Sequence, residues 1–304
     1  STCRGLAVTR WRTDAARDPA GSAVYVLDRT AGRVWSAAHQ PVGTPADTYE
    51  VVFSADKAEF RRRDGAIETW TEVAVAPDRD AEVRRVTLVN HDGRPHRIEV
   101  TSSVELALLD PRADVAHPAF GKLFLETEWL PQWHALVCRR RPRSAAQAPV
   151  WAVHVVAADD PEGATDYDTD RAAFLGRRHG PDAPAGLAAP LGRTVGAVLD
   201  PCFALRRTAV VPAGGSVTLA FATAVTRTRE DAVALADHYH SPTAAGRTFD
   251  LAWAHSRVEL RHLGVTAAES HVFQRLLGHV VFPFHHLRCR SGTRDDRLTQ
   301  AALW

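Results

Sequence analysis

Three aspartates at alternate positions, Asp166, Asp168 and Asp170, open the one stretch that imitates a metal-binding loop. A calcium loop of that spacing needs a glycine at its sixth position and a closing bidentate glutamate at its twelfth. Those places hold Arg171 and Arg177, so no calcium site is expected. A polar surface loop whose carboxylates pair with nearby arginines is the reading that remains. Among the histidines, His238 and His240 sit two apart on a predicted helix and point to nearly opposite sides. The pair His285-His286 follows a helix end, and neither pair is expected to hold a metal. No nucleophile elbow, phosphate-cradling glycine loop, dinucleotide fingerprint or H-E-x-x-H motif occurs. Cys3, Cys138, Cys202 and Cys289 are far apart and form no C-x-x-C pair, which reads as reduced thiols of a cytosolic protein. A glycosidase-type carboxylate pair requires a fixed separation in space, which residue order does not reveal. Tryptophan is the suggestive type, eight in all. Trp151 and Trp253 lie inside apolar periodicity and are assigned to the core. Trp35, Trp129 and Trp133 lie near strand ends and loops, where they are candidate platforms for sugar rings, with burial the standing alternative.

The chain that must position these groups has 304 residues, enough for one large domain or two smaller ones. Its 37 basic and 36 acidic residues leave a net charge of +1, which points to neither nucleic acid nor a membrane surface. It contains no methionine, and it is read as an excised piece of a longer polypeptide. No run approaches the roughly 18 apolar residues of a membrane span.

The organising stretch is 97–128. Ile98, Val100, Val104, Leu106 and Leu108 share one parity, and Arg97, Glu99, Thr101, Ser103 and Glu105 share the other. That alternation predicts a long strand with one face on a core and the other in water. Asp110-Pro111 ends it, 114–120 reads as a turn-rich loop, and 122–128 returns as a second strand of the same large antiparallel sheet. Further strands are predicted at 22–27, 34–36, 49–53, 57–61, 67–75, 81–89, 135–139, 150–156, 210–212 and 217–225, the last two as a hairpin over Ala213-Gly214-Gly215 and the others separated by turn signals such as Asp64-Gly65. The proline-rich stretch 157–191 is expected to wander over the surface. Thr228 caps a helix over 229–240, and Phe249, Trp253, Leu260 and Leu263 mark a second over 245–262. Thr266 and Glu269 form a capping box. The helix they open carries Val272, Phe273, Leu276, Leu277, Val280 and Val281 and ends at Pro283. Its apolar stripe is wide for a helix at a domain edge, and one side is expected to face a segment outside this chain. The fold class is mainly β, a large antiparallel β-sandwich followed by C-terminal helices.

Seven words occur in one order along the chain: VWSAAHQP from Val34, YEVVFS from Tyr49, DVAHPAF from Asp114, RRRPR from Arg139, DTDR from Asp168 with FLGR from Phe174, LDP from Leu199 and ELRHL from Glu259. Together they resemble the cyclic β-1,2-glucan synthases, in the front part of their region belonging to glycoside hydrolase family 94, formerly glycosyltransferase family 36. The resemblance implies a galactose-mutarotase-like supersandwich over 1–265 and a helical linker over 266–304. That linker would lead to an (α/α) barrel outside this chain, beginning near Leu303-Trp304. It also implies that catalytic and phosphate-binding residues lie in that barrel, so the chain alone is non-catalytic and uses no cofactor, inorganic phosphate serving only the barrel. The parent is expected to phosphorolyse β-1,2-glucan and to be anchored in the inner membrane with its working domains in the cytoplasm. The expected partners are the rest of the parent, β-1,2-glucan and a second copy as a homodimer. The loops holding His117 and Phe120, and Tyr167, Asp170 and Arg171, are candidates for contact with the barrel or glucan, against purely local stabilisation. An autonomous carbohydrate-binding module and a mutarotase-like enzyme remain as alternatives.

Overall fold

A computed structural model describes residues 1–10, 21–144, 147–160 and 163–281. Its strands are β1 (Thr2–Cys3), β2 (Leu6–Thr9), β3 (Ser22–Asp28), β4 (Arg33–Ser36), β5 (Thr48–Phe53), β6 (Ala58–Asp64), β7 (Ile67–Val75), β8 (Ala81–Asn90) and β9 (His96–Leu109). They continue with β10 (Leu125–Leu130), β11 (Ala135–Arg140), β12 (Val150–Ala158), β13 (Thr165–Asp170), β14 (Pro201–Val211) and β15 (Ser216–Thr226). The helices are α1 (Pro111–Ala116), α2 (Pro118–Lys122), α3 (Arg171–Leu175), α4 (Arg229–Tyr239), α5 (Pro242–His262) and α6 (Ala267–Val281). One sheet runs β1-β2-β9-β14-β13, with β3 pairing both β9 and β4; the other runs β10-β11-β12-β15-β8-β7-β6-β5. Every pairing is antiparallel.

The core between the sheets follows from alternation. Ile98, Val100, Val104, Leu106 and Leu108 of β9 are buried against Val86, Leu88, Leu136, Phe203, Leu205, Leu219 and Phe221. The opposite parity of β9 does not lie in water as its polar residues predict, since Glu99 and Thr101 are buried as well. The cause is the 163–191 part of the stretch expected to wander over the surface: it does not wander, but supplies β13 and α3 and folds over the outer face of β9. Phe174, Leu187 and Leu191 close a small cluster there with Tyr25 and Cys202. Arg206 is buried beneath that cover and donates to Thr101 Oγ1 (3.1 Å) and to the carbonyl of Ala189 (2.8 Å). Such arginines inside β14 hide all but its last residues, Val210 and Val211, from a hydropathy reading.

Two further expectations are corrected. The stretch 114–120 is not a loop but α1 and α2, each with proline in its first turn. There the missing N–H costs nothing and the fixed φ suits a helix. Nor do β9 and β10 share a sheet, because this helical pair carries the chain from one sheet to the other.

On the outer face of the larger sheet, Ala74, Ala76, Ala81, Ala220, Ala222 and Ala224 form a flat bed for α4 and α5. Small residues let a helix axis come close, so α5 buries Ala245, Thr248, Phe249, Ala252 and Ser256. Trp253, expected in the core, is instead 54% exposed, and Leu263 is exposed too. Thr228 caps α4 by accepting from the Asp231 amide, and Glu269 accepts from the Thr266 amide at the head of α6. Pro283 and His285-His286 lie outside the described residues.

His96 ties β9 to the turn before it and to β3. Its Nδ1 lies 2.7 Å from Asp28 Oδ2 and its Nε2 lies 3.1 Å from Asp92 Oδ2. Burial acts to lower its pKa, but the bonds to Asp92 and Asp28 more than offset this and raise it above the ordinary value. A raised folded pKa stabilises below the unfolded value, and that contribution disappears as pH rises through the folded one. The stability gap between the wild type and His96→Gln should therefore shrink from mildly acidic to mildly alkaline pH, as read by chemical denaturation. A constant gap would make the histidine a packing residue only.

Candidate functional site

The two loops singled out by the sequence meet at one rim of the sandwich, and Asp200 is what joins them. Lys122, at the end of α2, pairs with Asp200 Oδ1, while Arg171, at the start of α3, reaches Asp200 Oδ2 with Nη1 at 3.4 Å. Arg171 also holds Glu105 Oε1 through Nε and Nη2, each at 2.7 Å. Beside them Arg10 grips Asp114 with Nη2 2.6 Å from Oδ1, and its own amide donates to the Glu105 carbonyl (3.0 Å). Burial opposes the charge on Arg10, but hydrogen bonding to Asp114 more than offsets it and raises its pKa. Three cations and three carboxylates thus alternate in a network where each charge faces an opposite one. Such a network fixes the relative position of α1, α2, α3 and β9 rather than leaving a group free for proton transfer.

Local backbone chemistry accounts for the three aspartates. Asp170 caps α3, accepting from the amide of Ala172 at 2.9 Å. Asp168 is buried rather than on a surface loop, and it accepts from the amides of Thr169 (2.7 Å), Asp170 (3.0 Å) and Gly192 (3.0 Å). Asp166 accepts from the Leu191 amide (2.8 Å) and from Arg193 Nε (2.9 Å). Their acceptor capacity therefore serves to fasten the 191–193 turn to β13. Among the described residues no group of three or more His, Cys, Asp or Glu is arranged to hold a metal ion.

His117 is exposed at the joint of α1 and α2, its amide donating to the Ala113 carbonyl (3.0 Å). Phe120 is exposed beside it, edge-on to Phe124 at 5.3 Å between centroids, with the Arg143 guanidinium 5.0 Å from its ring centre. Leu123 and Leu199 add exposed apolar surface on the same rim.

The tryptophans separate into different roles. Trp35 is 1% exposed and its Nε1 donates to Thr69 Oγ1 at 3.1 Å, bridging the two sheets. It is a core residue, and the platform role is withdrawn: β4 turns it inward. Trp129 stacks on Tyr167, 4.2 Å between centroids and 18° between planes, joining β10 and β13 at the edges of opposite sheets. The hydroxyls of Thr127 and Thr169 bond beside it at 2.7 Å. Trp133 Nε1 donates to Asp237 Oδ1 (2.9 Å) and fastens the end of β10 to α4. Trp151 is half-buried with Arg139 over its ring.

Single residue types did not single out Glu105, Lys122, Asp200 or Arg10, which form the network. Asp200 sits in the LDP word, the one sequence signal that marked its position. The thiols of Cys138 and Cys202 are pushed far above the ordinary range by complete burial, so neither is reactive. No helix among the described residues is long and apolar enough to cross a membrane.

Residues 1–242 match the family model described as the glycosyl hydrolase 94 supersandwich domain. The chain is 36% identical over 304 residues to the cyclic beta-(1,2)-glucan synthase NdvB of Rhizobium meliloti (strain 1021). That alignment covers 99% of this chain and 11% of the relative's length. Among solved structures, a putative kojibiose phosphorylase from the human microbiome superposes with a TM-score of 0.44 at 6% identity, over 82% of this chain and 31% of that one. A putative aldose 1-epimerase from Klebsiella pneumoniae gives 0.30 at 12%, over 72% and 65%. Likenesses at that level carry nothing further for this chain.

Proposed function

The chain belongs to the glycosyl hydrolase 94 supersandwich-domain family, and from that membership we propose that it is the non-catalytic sandwich of a cyclic β-1,2-glucan synthase. In this reading residues 1–265 form the sandwich and 266–304 lead into a catalytic barrel supplied by the rest of the parent. The barrel carries out phosphorolysis of β-1,2-glucan with inorganic phosphate, and no cofactor enters. The parent is held at the inner membrane with its working domains in the cytoplasm. The rim around His117, Phe120 and Arg171 is the surface lent to the barrel's cleft or to glucan.

The observation that carries the reading is the apolar face of α6. Val272, Phe273, Leu276 and Leu277 are 53%, 55%, 56% and 61% exposed, side by side at the i, i+4 spacing of one helix face. Burying such side chains yields roughly 1.5–3 kcal/mol each, so the face favours a packed partner. The chain spans 11% of the relative it matches, which leaves ample polypeptide to provide one.

The test is reconstitution in trans, with this chain and the remainder of its parent produced separately and mixed. Wild-type chain should restore phosphorolysis of linear β-1,2-glucan, and the double variant Phe273→Asp, Leu277→Asp should bind and restore far less. Phosphorolysis by this chain alone would refute the reading. Selective heat on calorimetric titration of the isolated chain with linear or cyclic β-1,2-glucan, absent with a β-1,4-glucan, would make it a binding module instead.

A further inference from the structure

The outer face of the eight-stranded sheet is only partly roofed by α4 and α5, and beside the first turns of α5 a groove of about 320 Å³ opens. Alternation along β7 turns Trp70, Glu72 and Ala74 outward together. Ala74 is buried in the helix bed, whereas Trp70 stays 39% exposed. The register carries the floor across three central strands, with Trp70 opposite Thr87 and Thr87 opposite Thr218. By strand order Asp159, just past the end of β12, lies on the far side from Trp70, and Gly246 of α5 lines the groove from above the sheet.

Trp70 stands apart from the other described tryptophans. Trp35 and Trp133 donate their N–H groups to side chains, Trp129 stacks on Tyr167, and Trp151 and Trp253 carry arginines over their rings. Among the described residues no side chain bonds the Trp70 N–H or stacks on its ring, and the exposed Asp159 carboxylate has no bonded partner either. Glu72 is engaged: it is buried and holds Lys57 Nζ (2.7 Å) and Arg85 Nη2 (2.6 Å), and the Arg85 guanidinium lies 4.2 Å from the Phe249 ring centre. The groove therefore offers a bare aromatic face, one free acceptor carboxylate, and the Thr87 and Thr218 hydroxyls 3.3 Å apart, which both donate and accept. An extended peptide finds no backbone partner here, because the three strands beneath are central and already paired on both sides. A pyranose with equatorial hydroxyls matches all of these groups. Its C–H face covers the indole, and its hydroxyls meet the carboxylate and the threonines.

We propose that this groove is a saccharide subsite, separate from the rim, which seats one gluco-configured residue of a glucan on Trp70. The gluco-configuration rests on the reading of the chain as part of a glucan synthase, and the platform rests on the geometry. One aromatic platform fixes one ring and not the bond to the next, so β-1,2- and β-1,4-linked glucans should both bind. Titration of the chain with linear β-1,2-glucan and with a soluble β-1,4-glucan, followed by calorimetry and tryptophan fluorescence, should give dissociation constants on the order of 1 mM for each. An inulin-type fructan, whose five-membered rings lack the flat C–H face, should give no response. Trp70→Ala should weaken both glucans at least about tenfold, and Trp70→Phe should keep part of the affinity. Gly246→Leu acts from the helix side. A Cβ there meets no atom within 4 Å and leucine favours a helix, so the fold tolerates it while the side chain fills the groove and weakens binding. Thermal midpoints confirm that each variant is folded. The proposal is overturned if neither glucan binds or if binding is confined to β-1,2-glucan. It is also overturned if the folded Trp70→Ala chain, or Gly246→Leu in its place, binds as the wild type does. None of these outcomes depends on the barrel, so failure of this site is distinct from failure of the scaffold reading, which reconstitution in trans decides.

Discussion

Replacing Asp64 with alanine is expected to cost the fold about 3–5 kcal/mol, the scale for stripping one partner from a buried ion pair. Arg62 and Asp64 are both fully buried, with Nε 2.7 Å from Oδ2 and Nη2 2.7 Å from Oδ1. Arg62 also donates to the carbonyls of Ser36 (3.0 Å), Ala38 (3.1 Å) and Thr44 (3.1 Å). It is the post around which 36–44 is wound. Without Asp64 the guanidinium is left charged in a site that water does not reach, and it must either drag in solvent or swing out and release the loop. The double replacement Arg62→Met, Asp64→Leu should recover part of the loss but not all, because three carbonyls remain without their donor. Denaturant midpoints of the two variants decide the matter. A loss below roughly 1 kcal/mol for Asp64→Ala would place the pair with ordinary surface bridges.

The second large effect comes from a histidine that the core keeps neutral. His154 is buried with its ring nearly parallel to those of Phe203 and Phe221, at 5.8 and 5.9 Å. Nδ1 is 2.9 Å from Thr223 Oγ1, and Nε2 is 3.0 Å from Ser102 Oγ on the opposite sheet. Burial, helped by the nearby charge of Arg84, pulls its pKa from 6.5 down to about 3. A depressed folded pKa in a base means that the unfolded chain binds the proton first. Stability is then full above pH 6.5 and falls as pH drops towards 3, by about 1.4 kcal/mol per unit. Between neutrality and pH 4.5 the wild type should lose roughly 2–3 kcal/mol more than His154→Gln, which keeps hydrogen-bonding groups but does not titrate. Parallel pH curves for the two proteins would show that water reaches the ring. His96 works in the opposite sense at higher pH, so the two histidines together favour a stability maximum near neutrality.

Much of this architecture was legible because alternation is a local property. β7 and β8 could be drawn almost to the residue from runs such as Ile67 to Val75, and Thr228 and the Thr266–Glu269 box announced their helices. What stayed hidden was set by distant contacts. β14 carries Arg206 and Arg207, which read as polar until the cover lent by Ala189 and Gly186 is known. Trp253 fits the stripe of α5, but the alanine bed beneath the helix selects Ala245 and Ala252 instead. At the rim the sequence offered Arg171, Asp170 and His117, yet Asp200 and Glu105, which lie outside both loops, define how the loops meet. Trp35 failed as a surface platform for the same kind of reason, since its partner Thr69 lies in the other sheet.

The placement of β14 and β15 also governs how the polypeptide reaches this shape. β9 waits for β14, where His96 pairs with Val211, and β8 waits for β15, where Val89 pairs with Ser216. Each sheet is therefore completed by a strand roughly a hundred residues or more downstream of its neighbour. Loop closure over such distances makes the nucleation step slow. During synthesis both half-sheets emerge with open central edges, one until β14 and the other until β15 has left the ribosome. The long-lived species that quality control encounters is then a pair of unfinished sheets, each waiting for one central strand.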